Sequence, residues 1–347
     1  MMKEKIAIFI DHDIFVRHFL IPGSFEKIFS NFSVTLVVPP KNNRRLKTDL
    51  SFLQKKAKIV YLKVPEYRRL AWSRLTQVKA MSLSLMNPIK KNIRMAWKRT
   101  MNKKAGFIHT CLSLPLIFNF FDSIIKFYLK IRRFDELENL FSKNKFSAVI
   151  HPGVDLGIFI NDLRIITKEK KIPLIFIMNS WDNPSVSIKV TPNVDYYLAW
   201  GEQTRQHAIN MLGLSENKVI NFGASQFEIY KQKPLKSKYQ FYKSNKISLD
   251  KKILLYAGGS LGTNEFEHLQ YLEKALETKN IKDIIILYRP HPWGGGGNKG
   301  EHIAKHKWKY VKIESSMINY LNDLNDKGYH MTFPDYSETH IVLSYVD

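Results

Sequence analysis

The sequence predicts an α/β protein of two Rossmann-like domains, the second of them incomplete. Three observations predict it. Short apolar runs without helical period, such as Ile6–Ile10, Val34–Val38, Phe146–Ile150 and Pro173–Met178, alternate with stretches of helical spacing, which is the order of a parallel sheet built from right-handed βαβ units. The alternation pauses at a basic, proline-containing stretch, Lys231–Lys251, and restarts at Lys252–Ala257 with a glycine-rich turn behind it. A further apolar run, Ile284–Leu287, opens into Arg289-Pro290-His291-Pro292 and the glycines Gly294–Gly297, at the kind of strand end where open α/β sheets bind ligands.

Composition bounds the function. A chain of 347 residues is long enough for two cores, and its 44% hydrophobic and 13% aromatic content excludes wholesale disorder. The single cysteine, Cys111, excludes a disulfide framework or a cysteine-cluster metal site and fits a reducing cytoplasm. The opening Met1–Lys5 meets a strand and then Asp11-His12-Asp13 too soon for an export segment. A net charge of +23 asks for an anionic partner or surface. Nucleic acid, acidic lipid and nucleotide substrates all qualify, and Lys scattered beside Ile and Asn also fits biased codon usage, so charge alone selects none of them.

The first domain is expected over residues 1–230. A strand at Ile6–Ile10, a helix over Phe15–Phe32, a strand at Val34–Val38 and another at Ala57–Val64 open it. The loop after the first strand gathers Asp11, His12, Asp13, Arg17 and His18, where a general base would be useful. The plainer alternative makes Asp13 a helix cap and His12 a solvated loop residue. Residues 66–140 form a basic helical insertion. Its basic side chains and aromatics fit an anionic membrane face, or an ordinary helical layer packed by its apolar stripe on the sheet; Leu112–Leu129 is too polar for a membrane span. Sheet pattern resumes at Phe146–Ile150, followed by a helix near 155–168 and a strand at Pro173–Met178. Trp181, Asp182 and Asn183 then make a polar loop with an aromatic plate suited to a sugar or polyol, or an Asx turn with Trp181 plugging the core. A strand at Tyr196–Trp200, a helix over Glu202–Leu212 and the run Asn217–Phe222 complete this domain.

Residues 231–251 are expected as a linker and 252–347 as the second domain. The strand Lys252–Ala257, the turn Gly258–Asn264 and a helix from Glu265 to Glu277 offer backbone N–H groups and a helix N-terminus to a phosphate. Gly259, Ser260 and Gly262 are its candidates, a glycine-eased helix start being the alternative. No Lys-Ser/Thr pair follows, so this is not a P-loop, and the spacing departs from the dinucleotide fingerprint. Arg289 offers a bidentate fork and His291 a hydrogen bond or proton to a phosphate. Alternatively Arg289 pairs with a structural carboxylate and His291 caps a turn.

Two such domains carrying Trp181-Asp182-Asn183-Pro184-Ser185, Trp200-Gly201-Glu202-Gln203 with His207, Gly223-Ala224-Ser225-Gln226-Phe227, Ala257-Gly258-Gly259-Ser260-Leu261-Gly262, Tyr288-Arg289-Pro290-His291-Pro292-Trp293 and Pro334-Asp335-Tyr336 resemble the GT-B glycosyltransferases. Within them the chain looks like the bacterial surface-polysaccharide group related to CDP-glycerol glycerophosphotransferases. The resemblance spans roughly residues 146–347.

That resemblance implies a nucleotide-sugar donor held by the second domain and a glycan or lipid-linked acceptor held by the first. It implies no metal and no cofactor, since helix N-termini and basic side chains offset the leaving diphosphate. His291 and Arg289 would contact donor phosphate, and Gly259, Ser260 and Gly262 would approach it. Asp13 or His12 would be the acceptor base, by position rather than by motif, with Arg17, Trp181, Asp182 and Asn183 as acceptor contacts. In this family a Ser/Thr turn and an acidic helix for the donor normally follow a helix like Ser337–Tyr345, so a sequence closing at Asp347 reads as a truncated second domain. The expected location is cytoplasmic, peripheral on the inner membrane face, with an anionic membrane surface as a further contact and no nucleic acid. Two other activities stay open: polyol-phosphate transfer from a CDP-glycerol-type donor, and non-catalytic polyanion or membrane binding. A nonhydrolysing sugar-nucleotide epimerase shares the architecture but needs cleft carboxylates that the sequence does not locate.

Overall fold

The computed structural model describes residues 3–41, 46–86, 103–153, 158–182, 194–259, 263–291, 300–318 and 336–347. It divides into two units, Met1–Glu228 and Ile229–Asp347.

The first unit is built on seven strands: β1 (Lys5–Phe9), β2 (Ser33–Val38), β3 (Ala57–Tyr61), β4 (Phe146–Gly153), β5 (Leu174–Met178), β6 (Tyr196–Ala199) and β7 (Val219–Asn221). They form one parallel sheet in the order β3-β2-β1-β4-β5-β6-β7. The strand apolar runs are continuous because both faces are covered. Along β1 the side chains alternate between two cores. Ala7 and Phe9 join Val149 and Phe176 on one face, while Ile6, Ile8 and Ile10 join Leu36, Ile150 and Ile177 on the other. The order reverses between β1 and β4, which sets a topological switch point where their carboxyl ends diverge.

The helix expected over Phe15–Phe32 is broken. A single turn, Asp13–Phe15, runs into the π-type segment Val16–Leu20, and a regular helix, α1 (Glu26–Asn31), follows. Gly23 takes φ +80 between them, a left-handed conformation glycine adopts without a Cβ penalty, just after Pro22, which has no N–H to continue a helix. The apolar spacing misleads here because Phe15, Phe19, Phe25 and Phe29 enter one core despite the break.

The basic insertion folds into α2 (Glu66–Met86), α3 (Lys103–Leu112), α4 (Pro115–Ile131) and α5 (Asp135–Lys143). Arg68 fastens it. Its guanidinium donates to Asp162 at 2.6 Å and to the Leu129 carbonyl at 2.9 Å, and Trp72 Nε1 donates to the same carboxylate at 2.9 Å. The helices α6 (Ile160–Lys170) and α7 (Glu202–Leu212) follow β4 and β6.

The second unit holds a smaller parallel sheet, β10-β9-β8, from β8 (Lys252–Ala257), β9 (Ile284–Arg289) and β10 (Val311–Ile313). The stretch 231–251, expected as a linker, instead carries α8 (Lys238–Ser244), opened by a reciprocal Ser237–Gln240 capping box. Its Phe241 and Tyr242 are buried with Ile253, Leu287, Ile341 and Val342. The polar look of the stretch hides one aromatic pair, which is enough to dock a two-turn helix. On the other sheet face lies α9 (Glu265–Thr278), with Leu269 and Leu276 buried against Ile286 and Tyr288. Two short helices, α10 (Gly300–Lys305) and α11 (Tyr336–Tyr345), complete the described part.

Candidate functional site

At the carboxyl ends of β8, β9 and β10 the second unit concentrates its polar side chains. Arg289, the last residue of β9, donates to Glu314 at 2.5 Å and to Thr339 Oγ1 at 3.0 Å. Glu314 follows β10, is buried, and also accepts from the Ser316 backbone at 2.9 Å and hydroxyl at 2.6 Å. Arg289 therefore pairs with a structural carboxylate, the plainer of its two expected roles. The pairing holds the guanidinium at the carboxyl end of β9. His291 lies two residues beyond, half-buried. Pro292 to Gly297 lie outside the described residues.

At the glycine turn a side-chain carboxylate meets the backbone. The Gly259 N–H donates to Glu265 Oε1 at 2.6 Å, and the buried Tyr288 hydroxyl donates to the other oxygen of that carboxylate. Burial, reinforced by the hydrogen bond to Glu265, pushes the Tyr288 phenol far above its usual range, so it stays a donor. Glu265 is the first residue of α9, where the helix dipole favours a negative charge. A Cβ on Gly258 would lie 2.7 Å from Glu265 Oε2. Gly258 thus leaves room for a buried carboxylate at the helix start, and Gly259 donates to it. Ser260 and Gly262, the other phosphate candidates, fall outside the described residues.

In the first unit the segments after β1 and β5 meet. Asp13 accepts from the Lys47 and Thr48 backbones at 3.0 and 2.8 Å and from the Thr48 hydroxyl at 2.6 Å, so its carboxylate ties down the loop after β2. The cap of the first turn is His12, whose Nδ1 accepts from the Ile14 N–H at 3.1 Å. Arg17 Nη2 lies 3.1 Å from His18 Nε2, and His18 Nδ1 lies 2.8 Å from Asn179 Oδ1 at the end of β5. Since Arg cannot accept, His18 receives at Nε2 and donates from Nδ1. Burial, then the Arg17 charge, lowers its pKa to about 4, so the imidazole is neutral. Trp181 is exposed and Asp182 partly so, on the same β5 loop; Asn183 falls outside the described residues.

Two features of this end went unassigned in the sequence. His18 and Asn179, 161 residues apart, are joined only by the fold. His151, on β4 at the switch point, is fully buried with its ring stacked on Phe176 at 6.0 Å. Neither of its ring nitrogens has a hydrogen-bond partner among the described residues. Burial lowers its pKa and the Asp11 carboxylate pulls the other way. Asp11 is itself buried and accepts from the Ile158 N–H at 2.6 Å. Position was an available signal for His151, which sits near the carboxyl end of β4, whereas His18 lies in the π-type segment beyond β1. Among the described residues no three His, Cys, Asp or Glu side chains converge as metal ligands would.

No family model matches the chain, and no curated protein sequence matches it. Solved structures do. UDP-GlcNAc 2-epimerase from Neisseria meningitidis bound to UDP-GlcNAc aligns with 99% of this chain and 75% of its own, at TM-score 0.52 and 10% identity. A glycosyltransferase from Rickettsia africae aligns over 91% and 70%, at TM-score 0.48 and 12% identity. MurG from Acinetobacter baumannii aligns over 89% and 65%, at TM-score 0.40 and 9% identity. The chain has a GT-B-like fold of two Rossmann-like units, the second with the smaller sheet.

Proposed function

We propose that this chain is a nucleotide-sugar enzyme of the glycosyltransferase type, which moves a sugar from a nucleotide-sugar donor to a surface-glycan or lipid-linked acceptor. The observation that carries the reading is the set of polar residues at the carboxyl ends of the second sheet. Arg289 is fixed by Glu314 and Thr339, and His291 follows on the next loop. The fold shared with an enzyme that binds UDP-GlcNAc supports it. In this reading the second unit holds the donor diphosphate through His291 and the Arg289 guanidinium, whose plane the Glu314 pair sets in advance. The acceptor hydroxyl attacks the anomeric carbon, its proton passes to a base, and the bond from that carbon to the diphosphate breaks. Asp13 and His12 stay the two candidates for that base, and both already accept hydrogen bonds, Asp13 from Lys47 and Thr48 and His12 at Nδ1 from the Ile14 N–H.

The test is calorimetric titration with UDP, CMP, CDP and GDP, comparing the native chain with His291→Ala. Selective binding of one nucleotide, weakened at least about tenfold in the variant, supports a donor site; selectivity for CDP would turn the reading toward polyol-phosphate transfer. A folded protein that binds none of the four sinks it.

A second reading, epimerisation of the nucleotide sugar, is favoured by the fold match to the Neisseria epimerase. Incubation with UDP-GlcNAc and no acceptor separates the two. An epimerase exchanges the C2 hydrogen with deuterated solvent, whereas a transferase leaves it in place.

A further inference from the structure

The helix α4 has more apolar surface than the fold uses. At about 100° per residue, Phe118, Phe121, Ile125 and Leu129 share one flank, and they pack against Ala71, Trp72 and Leu75 of α2. The apolar arc does not stop there. It continues through Ile117 and Ile124 to Leu116, Phe120, Phe127 and Ile131, which are 86%, 69%, 66% and 66% exposed. Together these residues sweep about 220° of the helix, where packing on one face takes a stripe of about 100°. Ser123, Lys130, Asn119, Lys126 and Asp122 fill the rest. The preceding helix α3 turns into α4 through 93° and adds Phe107, 71% exposed. No single helix among the described residues is long and apolar enough to cross a membrane.

We propose that the outer face of α4, with Phe107 of α3, is a docking surface for an anionic phospholipid bilayer, with α4 lying in the plane of the interface. A helix with one polar flank and large exposed aromatic and aliphatic side chains settles at the boundary between headgroups and acyl chains. Charge selects the bilayer as occupant. Lys103, Lys104, Arg132 and Arg133 stand exposed at the ends of the two helices, Arg133 paired with Glu138 at 3.2 Å, and Lys130 flanks the apolar arc. The only acid between residues 103 and 133, Asp122, is paired with Lys126 at 2.5 Å. Over residues 66–140 the sequence carries fifteen Lys and Arg against five acids. A second copy of this chain seated on the same face would bring two cationic rims together, which is repulsive, whereas anionic headgroups neutralise the rim while the Lys stems reach along the apolar arc.

The inference does not rest on the proposed nucleotide chemistry, and its test needs no nucleotide. The native chain is floated with vesicles of phosphatidylcholine alone and of phosphatidylcholine mixed with phosphatidylglycerol. In parallel, Cys111, the single cysteine and part of α3, carries an environment-sensitive fluorophore. The chain should float with the mixed vesicles and not with the neutral ones, and the label should shift to the blue on binding. The double variant Phe120→Glu/Phe127→Glu, altered only at exposed positions, should keep its circular dichroism and melting temperature and lose binding by at least about tenfold. The variant Lys103→Gln/Lys104→Gln/Arg132→Gln/Arg133→Gln should bind more weakly and with a shallower salt dependence. Undiminished binding by the folded Phe120/Phe127 variant overturns the proposal. So does a native chain that ignores the mixed vesicles, including the case in which it is a dimer that the Phe120/Phe127 variant makes monomeric.

Discussion

Arg289 and Glu314 form a nearly buried ion pair of 2.5 Å at the carboxyl ends of neighbouring strands, their side chains 11% and 1% exposed. Glu314 also caps the turn Ser315–Met317 through the Ser316 N–H. One guanidinium therefore joins β9, the β10 turn and, through Thr339, α11.

This arrangement separates a stability role from a binding role. Arg289→Ala strands a buried carboxylate, and losing one partner of such a pair costs about 3–5 kcal/mol. His291→Ala, on a half-buried loop residue, should change stability by less than about 1 kcal/mol. Urea denaturation followed by circular dichroism should show a large fall in midpoint for the first variant only. Equal falls would mean that His291 is also structural.

A second buried pair holds the basic insertion. Arg68 and Asp162 are 5% and 2% exposed, and Trp72 shares the carboxylate. Asp162→Ala should cost about 3–5 kcal/mol and loosen α2 and α4 from the sheet. Digestion at lysine in native conditions should then cut within residues 66–133 much faster than in the native chain. An unchanged cleavage rate would place the anchor elsewhere.

His18 makes stability depend on pH. Unfolded, it takes a proton near the ordinary histidine value of 6.5; folded, it holds none until about 4, because burial and then the Arg17 charge oppose the cation. Between these values the unfolded chain binds more protons, so stability is fully present above 6.5 and falls as pH drops through the window. At about 1.4 kcal/mol per pH unit, His18 removes about 2 kcal/mol between pH 6.5 and 5. His18→Gln should lose less stability than the native chain over that range by about this amount. Parallel urea titrations at the two pH values measure it, and identical losses would contradict the buried neutral imidazole.

Glu265 and Gly258 are coupled. A methyl on Gly258 meets a carboxylate oxygen that cannot retreat, since Gly259 N–H and the Tyr288 hydroxyl hold it. Gly258→Ala should destabilise by about 1–3 kcal/mol. Glu265→Ala removes the obstacle and strands two donors, so the double variant should be more stable than the sum of the single losses predicts. Simple additivity in thermal unfolding would show that the turn moves aside instead.

Much of the fold was legible in the chain, for a local reason. β1, β2, β5 and β9 are rich in Ile, Val, Leu and Phe, because a parallel sheet covered on both faces buries both alternating sets of side chains. Glu202–Leu212 stands at its expected bounds, closed by Gly213 at φ 70. The broken helix after β1 and the helix inside 231–251 were not legible. In the first, apolar spacing persists across a glycine break; in the second, Phe241 and Tyr242 are too few to announce a helix among polar residues.

The sequence by itself determined the strand and helix alternation, the two Rossmann-like units, and the placing of Arg289, His291, His12 and Asp13 at strand ends, because each follows from the period of the chain and the residue types next to it. Only the tertiary structure decided what those side chains touch. Arg289 lies 25 residues from Glu314, Asp13 lies 35 from Thr48, and Arg68 lies 94 from Asp162. No local pattern encodes such partners, since a buried charge is satisfied by whichever opposite group the packing of distant elements brings within hydrogen-bond reach.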